Sequence, residues 1–349
     1  MTVTAVASST HEEIYRVEEP AVGLLGFIAI HSTRLGPAAG GLRMRRYASE
    51  AEALTDVQRL SEGMTYKNAA AGLPLGGGKA VIIGDPGTEK TPALLRAFGR
   101  AIQSLEGRYI TAEDMGMSPA DMAVLAEETA WVAGLADGEF ASGDPSPITA
   151  RGIFNAIRTA RAHKHGSRDL SGVTVAVQGL GHVGWYLCQF LHEAGAELVV
   201  TDIDETRVKQ AVAEFGARAV PLAGIYAAEA DVFAPCAIGG ILNADTIPQL
   251  KAGIVAGGAN NQLATAGDGT ELHARGILYA PDFVANGGGI INVATEILSI
   301  RDRQGFVAEK LADLDATMAA ILNQAKAEDV SPAAVAVAAV QSKMAQKAA

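Results

Sequence analysis

A G-x-G-x-x-G run, formed by Gly179, Gly181 and Gly184, constrains the fold more than any other part of this sequence. In a strand-to-helix turn, the first glycine allows the tight bend, the second admits a pyrophosphate to the backbone, and the third lets the helix pack on the strand. The run alone is weak, because any glycine-rich turn can match it. Here an apolar strand at 173–177 precedes it, and the next strand ends at Asp202, 21 residues after Gly181, where an acid can bind the adenosine ribose. Together these features predict a Rossmann domain.

The residues after Asp202 favour NAD over NADP. They are Ile203, Asp204 and Glu205, and the first arginine is Arg207. The 2′-phosphate of NADP would therefore meet the carboxylates of Asp202, Asp204 and Glu205, which repel it.

The rest of the chain divides around a stretch rich in Gly, Ser, Asp and Pro at 136–147. After a helix at 150–163, short apolar strands alternate with helical patterns, and this alternation predicts a parallel sheet covered by helices. The expected strands lie at 173–177, 198–201, 231–234, 253–256 and 277–280. The first half also mixes strands (21–31, 80–83, 108–111) and helices (50–64, 91–105, one from 118). The sequence predicts an α/β protein whose chain is helical after Gly289.

Composition limits the partners. The chain has 349 residues, which suggests two domains, and 39 acidic against 28 basic residues give a net charge of −11. With no basic run, a nucleic-acid or membrane partner is not expected. The start of the chain has no signal-peptide pattern, and the apolar stretch at 21–30 is too short to span a bilayer. Two cysteines form no disulfide framework and the seven histidines no metal-ligand pattern, so we expect a cytoplasmic protein without a metal.

A second glycine-rich run, GLPLGGGKA, resembles a nucleotide-phosphate loop but fails the pattern GxxxxGK[ST] at Leu73 and Ala80. Its lysine, Lys79, lies twelve residues after Lys67 in MTYKNAAAG. Both are surrounded by small and apolar residues, although two unrelated surface lysines would give the same pattern. A buried lysine that loses its proton readily can act as a general base.

An acidic candidate follows the expected strand at 108–111. Asp114 in YITAEDMG is the favoured proton-transfer group. Glu113 beside it is the alternative acid, and a surface acidic pair without function is the other interpretation.

These segments carry a family resemblance. GPAAGG, GMTYKNAAAGLPLGGGKAVIIGDP, GRYITAEDMG, VAVQGLGHVG, FAPCAIGG, ANNQL and ILYAPDFVANGGG resemble the amino-acid dehydrogenases of the leucine, phenylalanine and valine type, the leucine-specific members most of all. The resemblance runs from about residue 14 to the helices after residue 297. It implies two domains with a cleft between them: a catalytic and oligomerisation domain at 1–140, onto which the helices at 325–349 pack back, and a Rossmann NAD-binding domain at 141–324. It also implies a homo-oligomer.

The resemblance assigns roles to individual positions. Lys79 would be the base that activates water, and Asp114 would shuttle protons to and from the amine. Substrate binding would fall to Gly40, Gly41, Met64, Lys67, Ala39, Ala112, Asn261, Ile290 and Val293. Cofactor binding would fall to Thr149, Gly179, Gly181, His182, Val183, Gly184, Asp202, Ile203, Ala237, Asn260 and Asn286. The implied reaction is reversible NAD-dependent oxidative deamination of an L-amino acid to a 2-oxo acid and ammonia.

Four of the substrate positions bear on which amino acid is used. Leucine dehydrogenases usually carry leucine in place of Ala39, so the pocket is wider there, while Ile290 exceeds the usual valine and fills part of the space. Ala112 and Val293 stand in leucine-type sequence. We expect a branched-chain aliphatic substrate (leucine, also isoleucine and valine), with phenylalanine as the alternative and a non-catalytic NAD and amino-acid sensor as a more remote one.

Overall fold

The structure is a computed structural model that describes residues 1–346. The chain forms two compact units. The first contains Met1–Asp144, Ile290–Val307 and a segment that begins at Lys343, and the second contains Pro145–Gly289 and Ala308–Ser342.

The bounds of these units differ from the expected boundaries at residues 140 and 324. The chain enters the second unit at Pro145, because helix Ser146–His165 belongs wholly to that unit. The chain first returns to the first unit at 290–307, and all of 325–342 belongs to the second unit. Composition could place the linker, but it could not show which of the late helices pack on which sheet.

The first unit is built on a seven-stranded mixed sheet in the order β1-β2-β3-β6-β4-β7, with β5 paired to β6. Its strands are β1 (Thr2–Ala5), β2 (Glu13–Glu19), β3 (Leu24–Ser32), β4 (Ala38–Ala39), β5 (Leu42–Arg45), β6 (Gly76–Ile83) and β7 (Tyr109–Ile110). Its first three helices are α1 (Glu50–Ala70), α2 (Pro92–Gln103) and α3 (Pro119–Ala126). The pairs β1–β2, β2–β3 and β3–β6 are antiparallel, whereas β4 and β5 run parallel to β6.

Alternation along the strands sends side chains to two cores. Phe27, Ala29 and Val81 pack in a cluster with Ala53 and Val57 of α1. Their neighbours Ile28, Ile30 and Ile82 join the cluster that contains α2 and α3. Helix α1 therefore covers one face of the sheet and α2 and α3 the other.

Helix boundaries follow from local signals. The Ser49 side chain accepts a hydrogen bond from the N–H of Glu52 at the start of α1, and Ser118 and Asp121 form a capping box at α3, which begins at Pro119 as predicted. Helix α1 extends past the expected end at Met64, since Thr65, Asn68 and Ala69 continue its buried face.

The second unit is an all-parallel six-stranded sheet in the order β10-β9-β8-β11-β12-β13. Its strands are β8 (Thr174–Gln178), β9 (Glu197–Thr201), β10 (Arg218–Ala219), β11 (Val232–Pro235), β12 (Ile254–Val255) and β13 (Leu278–Tyr279). The helices after α3 are α4 (Ser146–His165), α5 (His182–Glu193), α6 (Glu205–Phe215), α7 (Ala266–Ala274), α8 (Asp282–Ala285), α9 (Gly288–Ile297), α10 (Arg303–Glu328) and α11 (Pro332–Gln346). Strand order reverses at β8, and this is the Rossmann arrangement that the sequence predicts.

Two half-buried histidines lie between the first sheet and α1. The Nε2 atom of His11 lies 2.9 Å from the Ser61 hydroxyl, Nδ1 of His31 lies 2.8 Å from the Thr65 hydroxyl, and the two ring centroids are 4.9 Å apart. Burial lowers the pKa of both imidazoles, and for His31 the neighbouring His11 lowers it further.

We expect the first unit to lose stability as the pH falls below the ordinary histidine value of about 6.5, because the unfolded chain then takes up protons that the folded one excludes. The thermal unfolding midpoint should drop between about pH 7.5 and about pH 5.5, and the drop should be smaller in His31→Gln, which keeps a polar group near Thr65. An equal drop in both proteins would contradict a contribution from His31.

Within residues 1–346, no helix is both long and apolar enough to cross a membrane.

Candidate active site

Strand alternation places the candidate residues of the first unit on the face covered by α1. Lys79 lies between Gly77 and Val81 on β6, and its register partner on β3 is Ala29. A Cβ atom on Gly77 would lie 2.0 Å from the Thr65 hydroxyl of α1, so this face of β6 touches the helix directly. The glycine run that fails the nucleotide-phosphate loop pattern is therefore part of the strand, where it lets the helix approach. Lys79 stands in mid-strand instead of opening one.

The neighbouring strand is interrupted at Gly40 and Gly41. Strand β4 pairs with β6 before the two glycines and β5 pairs with β6 after them. A Cβ on Gly40 would lie 1.9 Å from the Gly78 carbonyl oxygen and 3.0 Å from Cγ of Met64, and a Cβ on Gly41 would lie 2.9 Å from Cβ of Asp114. Both positions thus require glycine, and the break brings bare backbone beside Met64 and Asp114.

Tyr109 holds the backbone at this break in the strand. Its hydroxyl donates to the carbonyl oxygen of Gly40 at 2.7 Å, and the ring is fully buried. The sequence offered no signal for this role, because the contact joins residues 69 positions apart.

Lys79 and Asp114 form an ion pair. The Lys79 ammonium donates to Oδ2 of Asp114, and the two side chains are 6% and 17% exposed. A charged lysine buried to this degree needs a partner, because removing its hydration is otherwise costly. The pair therefore holds a proton donor and a proton acceptor in contact beside the Gly40–Gly41 backbone.

The Asp114 carboxylate is further bound by Arg43 and by its own backbone. Nε of Arg43 donates to Oδ1 at 3.0 Å, and the N–H of Met115 donates to the same oxygen at 2.6 Å. Burial by itself would raise the pKa of Asp114, but the charges of Lys79 and Arg43 outweigh it and hold that pKa well below its ordinary value. Asp114 is consequently an anion in this state.

Lys67 lies on α1 one turn after Met64, the residue next to Gly40, and is half-buried. Residues three apart share a helix face, so Lys67 and Met64 point to the same side of α1. This places Lys67 near the glycine break, although its predicted contact with a substrate carboxylate stays a prediction.

The predicted side-chain pocket residues are all buried. Ala39 is fully buried and pairs with Gly77 and Ile110, and Ala112, Ile290 and Val293 are each 7% exposed. A Cβ on Gly134 would lie 3.9 Å from Cβ of Ala112, so the segment after residue 132 passes Ala112 closely.

Glu296 lies on α9, one turn after Val293, and binds the segment that follows residue 132. Its carboxylate accepts hydrogen bonds from the N–H groups of Gly134 at 2.8 Å and Ser142 at 2.9 Å and from the Ser142 hydroxyl at 2.7 Å. An acid within the apolar run IINVATEIL was the available signal, and sequence reasoning missed it.

The second unit carries the candidate cofactor residues at the carboxyl ends of its strands, where ligands bind in open parallel sheets. Gly179 follows β8, Asp202 follows β9, and Ala237 follows β11. A Cβ on Gly179 would lie 2.9 Å from Cβ of Ala237, so the ends of β8 and β11 meet. Ile203 is 87% exposed beside them and offers an apolar surface at this edge.

The three glycines of the turn differ in what surrounds them. A Cβ on Gly184 would lie 2.0 Å from the carbonyl oxygen of Gly179, so this glycine packs the helix against the turn. A Cβ on Gly181 would meet only Nη1 of Arg207, at 3.9 Å. The space above Gly181 therefore stays open, and a cavity of about 270 Å³ adjoins it, lined by His182 and Arg207 among others. Helix α5 starts at His182, followed by Val183, and its first N–H groups suit a pyrophosphate.

Asp202 and Arg207 bind the two backbone polar groups of Leu180 in the turn. Oδ2 of Asp202 accepts from the N–H of Leu180 at 2.5 Å, and Nη1 of Arg207 donates to the carbonyl oxygen of Leu180 at 2.9 Å. The other Asp202 oxygen accepts from the N–H of Asp204 at 2.8 Å, and Nε of Arg207 lies 3.6 Å from that residue's carboxylate.

Two amide side chains, Asn260 and Asn286, lie in the segments that follow β12 and β13. Nδ2 of Asn286 donates to Oδ1 of Asn260 and to the Gly258 carbonyl oxygen, both at 3.1 Å, and Asn286 is buried. Within residues 1–346, Oδ1 of Asn286 accepts no hydrogen bond, so it is available as an acceptor. The carbonyl oxygen of Asn261 accepts from the N–H of Gly240 at 2.7 Å.

Thr149 lies beside the ANGGG segment, since a Cβ on Gly289 would be 2.7 Å from its hydroxyl. Gly258 and Gly287 each face a larger side chain. A Cβ on Gly258 would lie 2.7 Å from Cδ1 of Ile153, and one on Gly287 would lie 3.0 Å from Cδ2 of Leu314. The larger side chains fill that space.

The first unit thus brings Gly40, Gly41, Met64, Lys79 and Asp114 together, and the second gathers the glycine turn with Asp202 and Ala237. Arg43, Tyr109 and Glu296 are the residues that sequence reasoning missed. Among residues 1–346, no three His, Cys, Asp or Glu side chains cluster as metal ligands.

Comparison with known proteins extends these observations. Sequence models described as "Glu/Leu/Phe/Val dehydrogenase, dimerisation domain" and "Glutamate/Leucine/Phenylalanine/Valine dehydrogenase" match residues 11–131 and residues 142–211 and 200–348. Leucine dehydrogenase of Geobacillus stearothermophilus is 55% identical over 304 residues, which cover 87% of this chain and 83% of that protein. Phenylalanine dehydrogenase of Lysinibacillus sphaericus is 46% identical over 322 residues, 91% of this chain and 84% of that protein.

The crystal structure of L-tryptophan dehydrogenase from Nostoc punctiforme superimposes with a TM-score of 0.82 at 41% identity, covering 97% of this chain and 96% of that one. These matches confirm the predicted resemblance and the two-domain α/β fold. The chain belongs to the Glu/Leu/Phe/Val dehydrogenase family.

Proposed function

We propose that this protein catalyses the reversible NAD-dependent oxidative deamination of branched-chain aliphatic L-amino acids, leucine above all and also isoleucine and valine. The observation that carries the proposal is the buried Lys79–Asp114 pair beside the Gly40–Gly41 backbone. Its support is the 55% identity to a leucine dehydrogenase.

The residues divide the work by chemistry. Bound NAD would supply the acceptor for the hydride of the substrate Cα, and loss of that hydride converts the amine to an iminium. Lys67 holds the substrate carboxylate as a fixed cation, and the Gly40–Gly41 backbone with Met64 positions that end of the molecule. In the second unit, Asn286 and Asn260 offer amide groups for the carboxamide end of the cofactor.

Lys79 and Asp114 handle the protons. Lys79 in its neutral form takes a proton from water as the water oxygen bonds to the iminium carbon, which gives a carbinolamine. Asp114 relays that proton from Lys79 to the amine nitrogen, the carbon–nitrogen bond breaks as the carbinolamine hydroxyl gives its own proton to Lys79, and ammonia and the 2-oxo acid result. General acid–base groups held this way contribute on the order of 10² to 10⁴ in rate.

The decisive experiment is NADH formation by the purified protein with NAD and a panel of L-amino acids at alkaline pH. Turnover ranked with leucine, isoleucine and valine above phenylalanine supports the proposal. Phenylalanine ranked first would mean that the small Ala39 outweighs Ile290 in shaping the pocket. NADH binding without turnover of any amino acid would favour a sensor.

Replacing Ala39 by leucine tests the pocket. Ala39 shares the α1 face of the sheet with Lys79, and three added carbons would fill space that an aromatic ring needs. Since a methylene is worth about 1–3 kcal/mol in such a pocket, kcat/KM for phenylalanine relative to leucine should fall about tenfold or more. The ratio cancels any loss of folded enzyme. An unchanged ratio would place position 39 outside the pocket.

Cofactor choice follows from Asp202. A 2′-phosphate would face the carboxylates of Asp202 and Asp204, and Arg207 is already bound to Leu180 and Asp204. We expect strong preference for NAD, and Asp202→Ala should weaken NAD binding about tenfold, as loss of a charged hydrogen-bonding partner does. Isothermal titration with NAD and NADP measures both. Preference of the wild-type protein for NADP would refute this role of Asp202.

We further propose that the protein is a cytoplasmic homo-oligomer assembled through its first unit, as the description of the first matching domain suggests. Light scattering coupled to size-exclusion chromatography measures the state directly, and a monomer would overturn it.

A further inference from the structure

Asp114 is held between two cations on opposite oxygens. Lys79 donates to Oδ2, and Nε of Arg43 donates to Oδ1 at 3.0 Å. The Arg43 side chain is only 13% exposed, so its charge is weakly screened by solvent. Lys79 alone would satisfy the ion pair, and the second cation therefore needs a separate explanation.

The position of Arg43 is itself fixed from α1. Its Nη1 donates to Oδ2 of Asp56 at 3.2 Å, and the Tyr47 hydroxyl donates to the same oxygen at 2.7 Å. The arginine fork is thus held at both ends, by Asp56 on the helix and by Asp114 at the site. This geometry is typical of a residue that orients another one.

We propose that Arg43 is a positioning residue that turns the Asp114 carboxylate toward Lys79 and keeps it ionised, and so sets the pH range in which the Lys79–Asp114 pair releases a proton. This inference rests on the proposed function for its kinetic readout. It adds a residue that binds the Asp114 carboxylate directly.

The sign of the effect follows from electrostatics. The charged and titratable groups facing Asp114 are Lys79 on β6, Arg43 on β5 and Tyr109 on β7, with Asp56 of α1 behind Arg43. Removing the Arg43 charge leaves the pair with one positive charge fewer, so its proton is held more tightly. A charge at this distance displaces a titration by about 1–3 pH units.

The test is the pH profile of kcat/KM for leucine between about pH 7 and about pH 11 in Arg43→Gln, Arg43→Lys and Arg45→Gln. Arg45 is the matched control: it lies on the same face of β5, pairs with Glu52 at 3.2 Å and approaches Asp56 at 3.7 Å. We expect the rising limb to move about 1 pH unit or more upward in Arg43→Gln, less in Arg43→Lys, and not in Arg45→Gln. NADH binding should be unchanged in all three.

A uniform loss of kcat in Arg43→Gln without a shift of the limb, or an equal shift in Arg45→Gln, would overturn the proposal. A second readout does not depend on turnover: the pH dependence of reductive methylation of Lys79, read by mass spectrometry. The pH at which methylation of Lys79 rises should also be higher in Arg43→Gln than in the wild-type protein. If the wild-type protein oxidises no amino acid, the proposed function fails, yet this labelling still decides whether Arg43 controls the pair.

Discussion

Replacing Lys79 by alanine should abolish amino-acid oxidation while NADH still binds. The variant removes the proposed base and leaves Asp114 paired with Arg43. We expect kcat to fall by about 10³-fold or more, at the upper end of general-base contributions. Steady-state kinetics and fluorescence titration with NADH measure the two quantities on one preparation.

Lys90 provides a matched control for this variant. It is another partly buried lysine of the first unit, 20% exposed, and its ammonium pairs with Asp121 at 2.7 Å and donates to the Gly116 carbonyl oxygen. Lys90→Ala should lower the thermal midpoint without abolishing turnover. If Lys79→Ala keeps wild-type turnover, another group is the base.

Replacing Gly181 by alanine should weaken NADH binding by more than tenfold and leave stability nearly unchanged. Gly181 has φ −60° and ψ −175°, which any residue adopts, and its Cβ would meet only a flexible arginine end. The added methyl would instead occupy the space through which a pyrophosphate reaches the first turn of α5. A tenfold loss corresponds to about 1.4 kcal/mol.

Gly184→Ala separates the effect on NADH binding from the effect on stability. Its Cβ would lie 2.0 Å from a backbone oxygen that cannot rotate away, so the turn must deform even without a ligand. This variant should lose both NADH affinity and thermal stability. If Gly181→Ala binds NADH as the wild-type protein does, the pyrophosphate does not approach Gly181.

The second unit was predictable because its signals are local. Each strand of the Rossmann sheet is a short apolar run, and the glycine turn, helix α5 and Asp202 follow one another within a few dozen residues. The expected strands matched the observed ones within one or two residues, apart from the short, exposed β10.

The first unit was harder to predict. The edge strand β1 and its neighbour β2 lack a clean apolar pattern, since β1 is mostly exposed and about half of the residues of β2 are charged. The strand broken at Gly40 and Gly41 gives two pieces too short to recognise. Lys79 and Asp114 were candidates from their sequence surroundings and received specific roles from the resemblance, but the Arg43 contact spans 71 residues and only tertiary structure reveals it.

Neither unit is a continuous stretch of chain, because the backbone changes unit at residues 145, 290, 308 and 343. A fragment that ends at Asp144 would lack α9, and with it the Glu296 carboxylate that binds the Gly134 and Ser142 amides. Expressing the two halves of the chain as separate polypeptides, divided at the linker, would therefore not reproduce the enzyme. To exchange the first unit between members of this family, residues 290–307 have to be transferred together with the amino-terminal half.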